Sequence, residues 1–169
     1  MEQAPQLILW RHAEAEILEL FANKPRTSAK RATDMDRELT HRGRGQSRNM
    51  AAWLRPRLAE DVRVLVSPAK RCVDTARALT KNIEEISELG PSRGVSDLLG
   101  AIGWPDYEGT VIVVGHQPTL GRAASLLITG KESNWSVKKG AIWWIARRER
   151  GDATQHVIRA VIAPDQVKE

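Results

Sequence analysis

The 169 residues carry a formal net charge of +5, with 41% hydrophobic and 28% charged residues. That balance excludes the low-hydrophobicity pattern of disorder and predicts one globular domain over 1–169. With one cysteine, Cys72, the chain can form neither an internal disulfide nor a multi-cysteine metal site. No apolar run approaches the ~18 residues of a membrane span, and MEQAPQLILW lacks the basic start of a signal peptide. The expectation is a cytoplasmic protein with no membrane association, whose surface field favours anionic partners.

The apolar run Gln6 to Trp10 stops abruptly at Arg11-His12, as a buried strand stops at a polar site. Residues 22–38 have little apolar periodicity and read as a long loop. Thr40 caps a helix whose Met50, Trp53, Leu54 and Leu58 recur at helical spacing, with Gly43, Gly45 and Pro56 weakening its ends. Lys24, Arg26, Lys30, Arg31, Arg37, Arg42, Arg44 and Arg48 make this region strongly basic.

Val62 to Val66 resumes strand character. Ser67-Pro68 then reads as a helix start, with serine as cap and proline at the first helical position. It is followed by the face Ala69, Cys72, Val73, Ala76 and Leu79, which makes Cys72 a small buried hydrophobe and puts Arg71 in a first helical turn. Val95 to Ile102 predicts a further helix between the turns at Gly90-Pro91 and Gly103 to Gly109. Val111 to Val114 is a β-branched strand ending at Gly115-His116-Gln117-Pro118, before an apolar helix containing Leu120, Ala123, Ala124 and Leu127.

Ala141 to Ala146 and His156 to Ile162 predict two late strands around the charged turn at Gly151-Asp152, with Trp143 and Trp144 facing opposite sides. The alternation of strands and helices predicts an α/β fold, in which ligands gather outside the carboxyl ends of strands. Three strand ends then deliver Arg11-His12, Arg71 and His116. If those strands are neighbours, the four side chains share one pocket.

Arg11-His12-Ala13-Glu14-Ala15 resembles the N-terminal signature of the histidine phosphatase superfamily, with Ala13 where many members carry glycine. Asp36-Arg37-Glu38-Leu39-Thr40, with Gly43 and Gln46 after it, resembles the second segment of that family. Val64 to Arg71 resembles the third and Val113 to Pro118 the fourth. Order and spacing are similar to the SixA-type phosphohistidine phosphatases, from about Leu7 to Leu127.

The resemblance implies a three-layer α/β/α sandwich with a mostly parallel central sheet, of the phosphoglycerate mutase-like kind. It also implies a hydrolase in which His12 attacks phosphorus and is transiently phosphorylated. Arg11, Arg71, His116 and Gln117 would hold the phosphate, with no metal and no cofactor. Lys70 competes with Arg71 on residue chemistry; the motif selects Arg71.

The implied partner is a phosphorylated protein of the histidine phosphotransfer or phosphocarrier type, with a small phosphate ester such as a sugar phosphate or nucleotide as the alternative substrate. Glu14, Glu38, Glu88, Asp97 and Glu108 are open as candidate acids. A non-catalytic nucleic-acid module ranks last, because the tryptophans at 10, 53, 104, 135, 143 and 144 do not interleave with one basic stripe. His41 and His156 default to solvated or structural roles.

Overall fold

The computed structural model describes residues 3–23 and 33–168. Strands β1 (Gln6–Arg11), β2 (Val62–Val66), β3 (Glu84–Glu85), β4 (Thr110–Gly115), β5 (Ile142–Arg150) and β6 (Ala153–Ile162) form one sheet in the order β3-β2-β4-β1-β5-β6. The first four of that order run parallel, and β5 and β6 close the far side as an antiparallel hairpin. Helices α1 (Leu18–Ala22), α2 (His41–Leu54), α3 (Lys70–Arg77), α4 (Val95–Ile102) and α5 (Thr119–Thr129) lie between the strands in sequence.

The strand period of two sorts the side chains into two cores. Leu7 and Leu9 of β1, with Val111 and Val113 of β4, pack against Leu98 and Ile102 of α4 and Leu120 and Ala124 of α5. Ile8 and Trp10, with Ile112 and Val114, face Met50 and Leu54 of α2 and Cys72 and Ala76 of α3. Being covered on both faces, β1 and β4 are continuous apolar runs, as parallel central strands are. This is the three-layer α/β/α sandwich with a mostly parallel sheet. No helix among the described residues is long and apolar enough to cross a membrane.

Trp143 and Trp144 do face opposite ways: Trp144 joins the α2/α3 core and Trp143 packs against the other. The hairpin is longer than apolar patterning predicts. Beyond the buried Arg147, residues 148–150 and 153–154 are exposed and extend the ladder past the core, where backbone pairing continues without burial to mark it. Strand β3 is two exposed glutamates held by parallel pairing to Leu65 and Val66, which no alternation could signal. Within the expected loop 22–38, Asp34–Asp36 forms a 3-10 turn, and α1 closes at residue 22; Lys24, Arg26, Lys30 and Arg31 lie outside the described residues.

Helix α2 is capped as expected, Gly43 N donating to Thr40 Oγ1 at 3.0 Å. Helix α3 corrects one expectation. It starts at Lys70 with Ala69 as the cap residue, and Ser67 does not cap it. The Ser67 hydroxyl instead accepts from Ala69 N at 3.2 Å and lies 2.7 Å from His116 Nε2, so it is drawn from the helix to the site.

Candidate active site

The register brings three chain segments to one edge. In the order β2-β4-β1, Arg11 pairs with Gly115, His12 N donates to Gly115 O at 3.2 Å, and Ser67 N donates to Val114 O at 3.0 Å. His12, Ser67 and His116 therefore leave neighbouring strand ends together. Arg71 enters from the first turn of α3, the helix that follows β2.

His12 and His116 are each 6% exposed, with ring centroids 5.4 Å apart and ring planes 58° apart. His12 Nδ1 lies 2.8 Å from its neighbour's carbonyl, Ala13 O. A carbonyl only accepts, so Nδ1 carries the proton and Nε2 keeps a bare lone pair. Burial pushes the imidazole down to about 4; the Ala13 contact opposes this, and Arg71, Arg11 and Arg37 add to it by like-charge repulsion. His116 is pushed to about 3 by burial, then by Arg71 and His12. Both rings are neutral at pH 7.

The two arginines are held by one end and open at the other. Arg71, 3% exposed, donates from Nη1 to Asp34 O at 2.8 Å and from Nη2 to Asp34 Oδ2 at 3.0 Å. The end-on fork is thus taken, while Nη2 also lies 3.4 Å from His116 Nδ1. Arg11 donates from Nη1 to Val137 O at 2.8 Å. In both, Nε is buried and has no hydrogen-bond partner among the described residues. A buried donor left unpaired costs about 1–3 kcal/mol, more on a charged group. Two such donors on adjacent guanidinium groups suit an oxyanion presented to their side-on edges.

The second segment props the first. Thr40 N donates to Glu14 O at 3.0 Å, Glu16 N to Glu38 O at 2.9 Å, and Glu14 N to Gln46 Oε1 at 3.0 Å, while Ala15 and Leu39 form an antiparallel bridge. Gly43 lies directly under Glu14 O, where a Cβ would overlap the carbonyl. Ala13 is fully buried, and its N–H donates to Thr75 Oγ1 at 3.1 Å; that hydroxyl in turn donates to Arg71 O at 2.7 Å. Thr75 couples the turn bearing Arg71 to the loop bearing His12.

Gln117 does not turn its side chain to the pair of histidines. Its Nε2 donates to Trp135 O at 2.8 Å and its Oε1 accepts from Gly121 N at 2.7 Å, so the amide ties the 135–137 segment, including the carbonyl that holds Arg11, to α5. The five candidate acids are also engaged elsewhere. Glu14 accepts from Thr40 Oγ1, Glu88 from Ser87 Oγ and Asp97 from Gly94 N; Glu38 pairs with Lys70 and Glu108 with Arg147.

The carboxylate that does reach Arg71 is Asp34, which sequence reasoning missed. Burial pulls its pKa upward, but Arg71 and Arg37 outweigh that and hold it below the ordinary carboxylate value. Ser67, Thr75 and Arg37 were missed too; Arg37 donates to Asp34 Oδ1 at 3.0 Å. Lys70 leaves the site to Arg71 and pairs with Asp74 and Glu38. Cys72 is fully buried, and burial pushes its thiol up to about 12, which fits a packing role. His156 accepts from Trp104 Nε1 at 3.0 Å, a structural use.

Residues 7–91 match the histidine phosphatase superfamily (branch 1), a span holding Arg11, His12 and Arg71. This chain belongs to that superfamily. The phosphohistidine phosphatase SixA of Escherichia coli K12 is 33% identical over 108 residues, covering 59% of this chain and 67% of that protein. A solved structure of the protein histidine phosphatase SixA complexed with tungstate superposes with a TM-score of 0.73 at 26% identity, over 95% of this chain and 97% of its own. A mycobacterial glucosyl-3-phosphoglycerate phosphatase shares the fold at 14% identity, with a TM-score of 0.64 over 94% and 98% of the two chains. The chain is a phosphatase, and relatives of its fold carry more than one substrate class.

Proposed function

We propose that the enzyme hydrolyses phosphohistidine on a protein through a phospho-His12 intermediate. The observation that carries the chemistry is the pairing of a bare His12 Nε2 with two guanidinium groups whose buried Nε donors have no partner among the described residues. The lone pair of Nε2 attacks phosphorus, and the phosphorus–nitrogen bond of the substrate breaks in line with the new bond. The electron pair of that bond returns to the leaving imidazole, which departs neutral when its other nitrogen is protonated. Water then attacks phospho-His12, releasing inorganic phosphate and the free ring.

Charge on the three equatorial oxygens would be met by the side-on edges of Arg11 and Arg71 and by His116. Ser67 supports this role for His116. Arg71 Nη2 only donates, so His116 Nδ1 accepts from it at 3.4 Å and Nε2 donates to Ser67 Oγ at 2.7 Å. Once a phosphate oxygen takes over the Arg71 N–H, the Ser67 O–H can donate to Nε2 instead and leave an Nδ1 proton to face the phosphate. We assign Gln117 to the phosphate site indirectly, through the Trp135 to Val137 segment that anchors Arg11. The residues in place call for no metal: the charge stabilisation comes from the two guanidinium groups.

The protein substrate is favoured by the identity to a phosphohistidine phosphatase and by the state of the carboxylates. The five candidate acids are bonded away from the ring pair, and Asp34 stays ionised beside Arg71. A leaving group that needs little proton donation suits such a site better than an alkoxide does. Turnover of a phosphohistidine-bearing protein should exceed that of sugar phosphates and nucleotides, in EDTA and without added metal. Equal or faster turnover of the small esters would overturn the substrate assignment, leaving the phosphatase chemistry intact.

A further inference from the structure

Tryptophans that are scattered in sequence meet in space on the α2/α3 face of the sheet. Trp53 near the end of α2 and Trp144 of β5 stand edge to face, with centroids 6.3 Å apart and planes at 80°. Each indole carries an arginine on its face: the Arg57 guanidinium carbon lies 4.4 Å from the Trp53 centroid and that of Arg159 lies 5.3 Å from the Trp144 centroid. With Ala160 these four residues line a cleft of about 360 Å³, and among the described residues no acidic side chain takes part in the lining.

Both guanidinium groups are held. Arg57 Nη1 donates to Trp53 O at 2.6 Å, and Arg159 Nη1 donates to Gln6 Oε1 at 3.2 Å. Gln6 is 2% exposed; it also accepts from Trp144 Nε1 at 2.7 Å and donates to Ala4 O. One buried amide therefore orients an indole and an arginine together. Among the described residues neither Arg57 nor Arg159 has a carboxylate partner, whereas Arg63 and Arg147 on the same sheet do.

We infer that this cleft is a second ligand site, and that it takes a mononucleotide: a flat aromatic ring bearing a phosphate. A guanidinium seated over an indole face leaves its outer side for a second ring, and the N–H groups not taken by Trp53 O or Gln6 Oε1 remain for an anion. Two such cations with no competing anion among the described residues match a ring and a phosphate at once. Inorganic phosphate would leave the flat walls unused, and a neutral nucleoside would leave the positive charge unmet. The size fits one nucleotide, since small-molecule sites start at about 300 Å³. Prefixed donors lower the ordering cost of binding.

The cleft is separate from the histidine pair. Trp144 pairs with Ile8, four residues before His12, which places it about 13 Å back along the strand from the catalytic edge. Two further strand positions, on β5 and β6, carry it sideways. The inference does not rest on the proposed substrate, because nothing in the cleft belongs to the phosphatase site.

The test is titration of the full chain with AMP, read by tryptophan fluorescence and calorimetry in a buffer with enough inorganic phosphate to saturate the catalytic site. AMP should bind at sub-millimolar concentration in that buffer, with adenosine binding at least about tenfold more weakly. Arg159→Gln should weaken AMP by about tenfold or more while leaving phosphatase activity and melting temperature unchanged; Arg57→Gln provides an independent second variant. Undiminished AMP binding in both folded variants would overturn the inference. So would loss of AMP binding in His12→Ala, which would place the nucleotide in the catalytic site. Tight, salt-steep binding of an oligonucleotide without measurable AMP binding would also overturn it, in favour of a polynucleotide surface.

Discussion

Acidification should unfold this protein through its two buried imidazoles before its carboxylates are touched. An unstructured histidine titrates at about 6.5, whereas folding pushes His12 to about 4 and His116 to about 3. Between those limits the unfolded chain holds two protons that the native state refuses, so stability is fully present above pH 6.5 and is lost as the pH falls toward 4. Each proton contributes ~1.4 kcal/mol per pH unit. Integrated from pH 6.5 to 5, the two rings remove about 3 kcal/mol, a large share of the 5–15 kcal/mol of a typical domain.

His156, lowered by burial and by Arg147, acts in the same direction. Asp34 acts in the same sense but only below the ordinary carboxylate range, outside this window. Urea denaturation at pH 7, 6.5, 5.5 and 5 reads the slope, and His116→Gln should remove about half of the contribution from the two rings. Stability constant to within about 0.5 kcal/mol from pH 6.5 to 5 would refute the buried, neutral state assigned to both rings.

Two further perturbations probe how the site is built. Gly43→Ala should cost at least about 2 kcal/mol, because the new Cβ meets the Glu14 carbonyl and a backbone atom cannot rotate away; a denaturation midpoint unchanged from the parent would contradict the close approach. Arg71→Lys keeps the charge but loses the side-on edge, and should lower kcat/KM by at least about 100-fold without a matching loss of stability; activity within a fewfold of the parent would show that charge alone suffices.

What could be read from the sequence follows from where burial and motif coincide. β1 and β4 are covered on both faces, so Leu7 to Trp10 and Val111 to Val114 are uninterrupted apolar runs with unmistakable ends. Those ends are His12 and His116. β3 was invisible because two exposed glutamates owe their conformation to β2 and to nothing in their own residue types. Ser67 misled because a serine before a proline is a good cap in isolation, yet the neighbouring strand end put a histidine ring nitrogen within 2.7 Å of its hydroxyl.

Asp34 was hidden in a segment without periodicity, and only the fold reveals that its carboxylate and carbonyl together occupy the end-on fork of Arg71. Gln117, adjacent in sequence to His116 and expected on the phosphate, shows how little adjacency says about side-chain direction. Its amide closes the 135–137 segment that holds Arg11. The arrangement of the arginines is a tertiary fact, since Val137 and Asp34 lie 126 and 37 residues from the groups they anchor.

The most direct test of the account is to incubate the enzyme with a ³²P-labelled phosphohistidine protein, quench within milliseconds in alkali, and map the label by peptide. The account predicts transient label on His12, absent in His12→Ala and accumulating when hydrolysis is slowed. Full phosphatase turnover in His12→Ala, or label on His116 with none on His12, would contradict it.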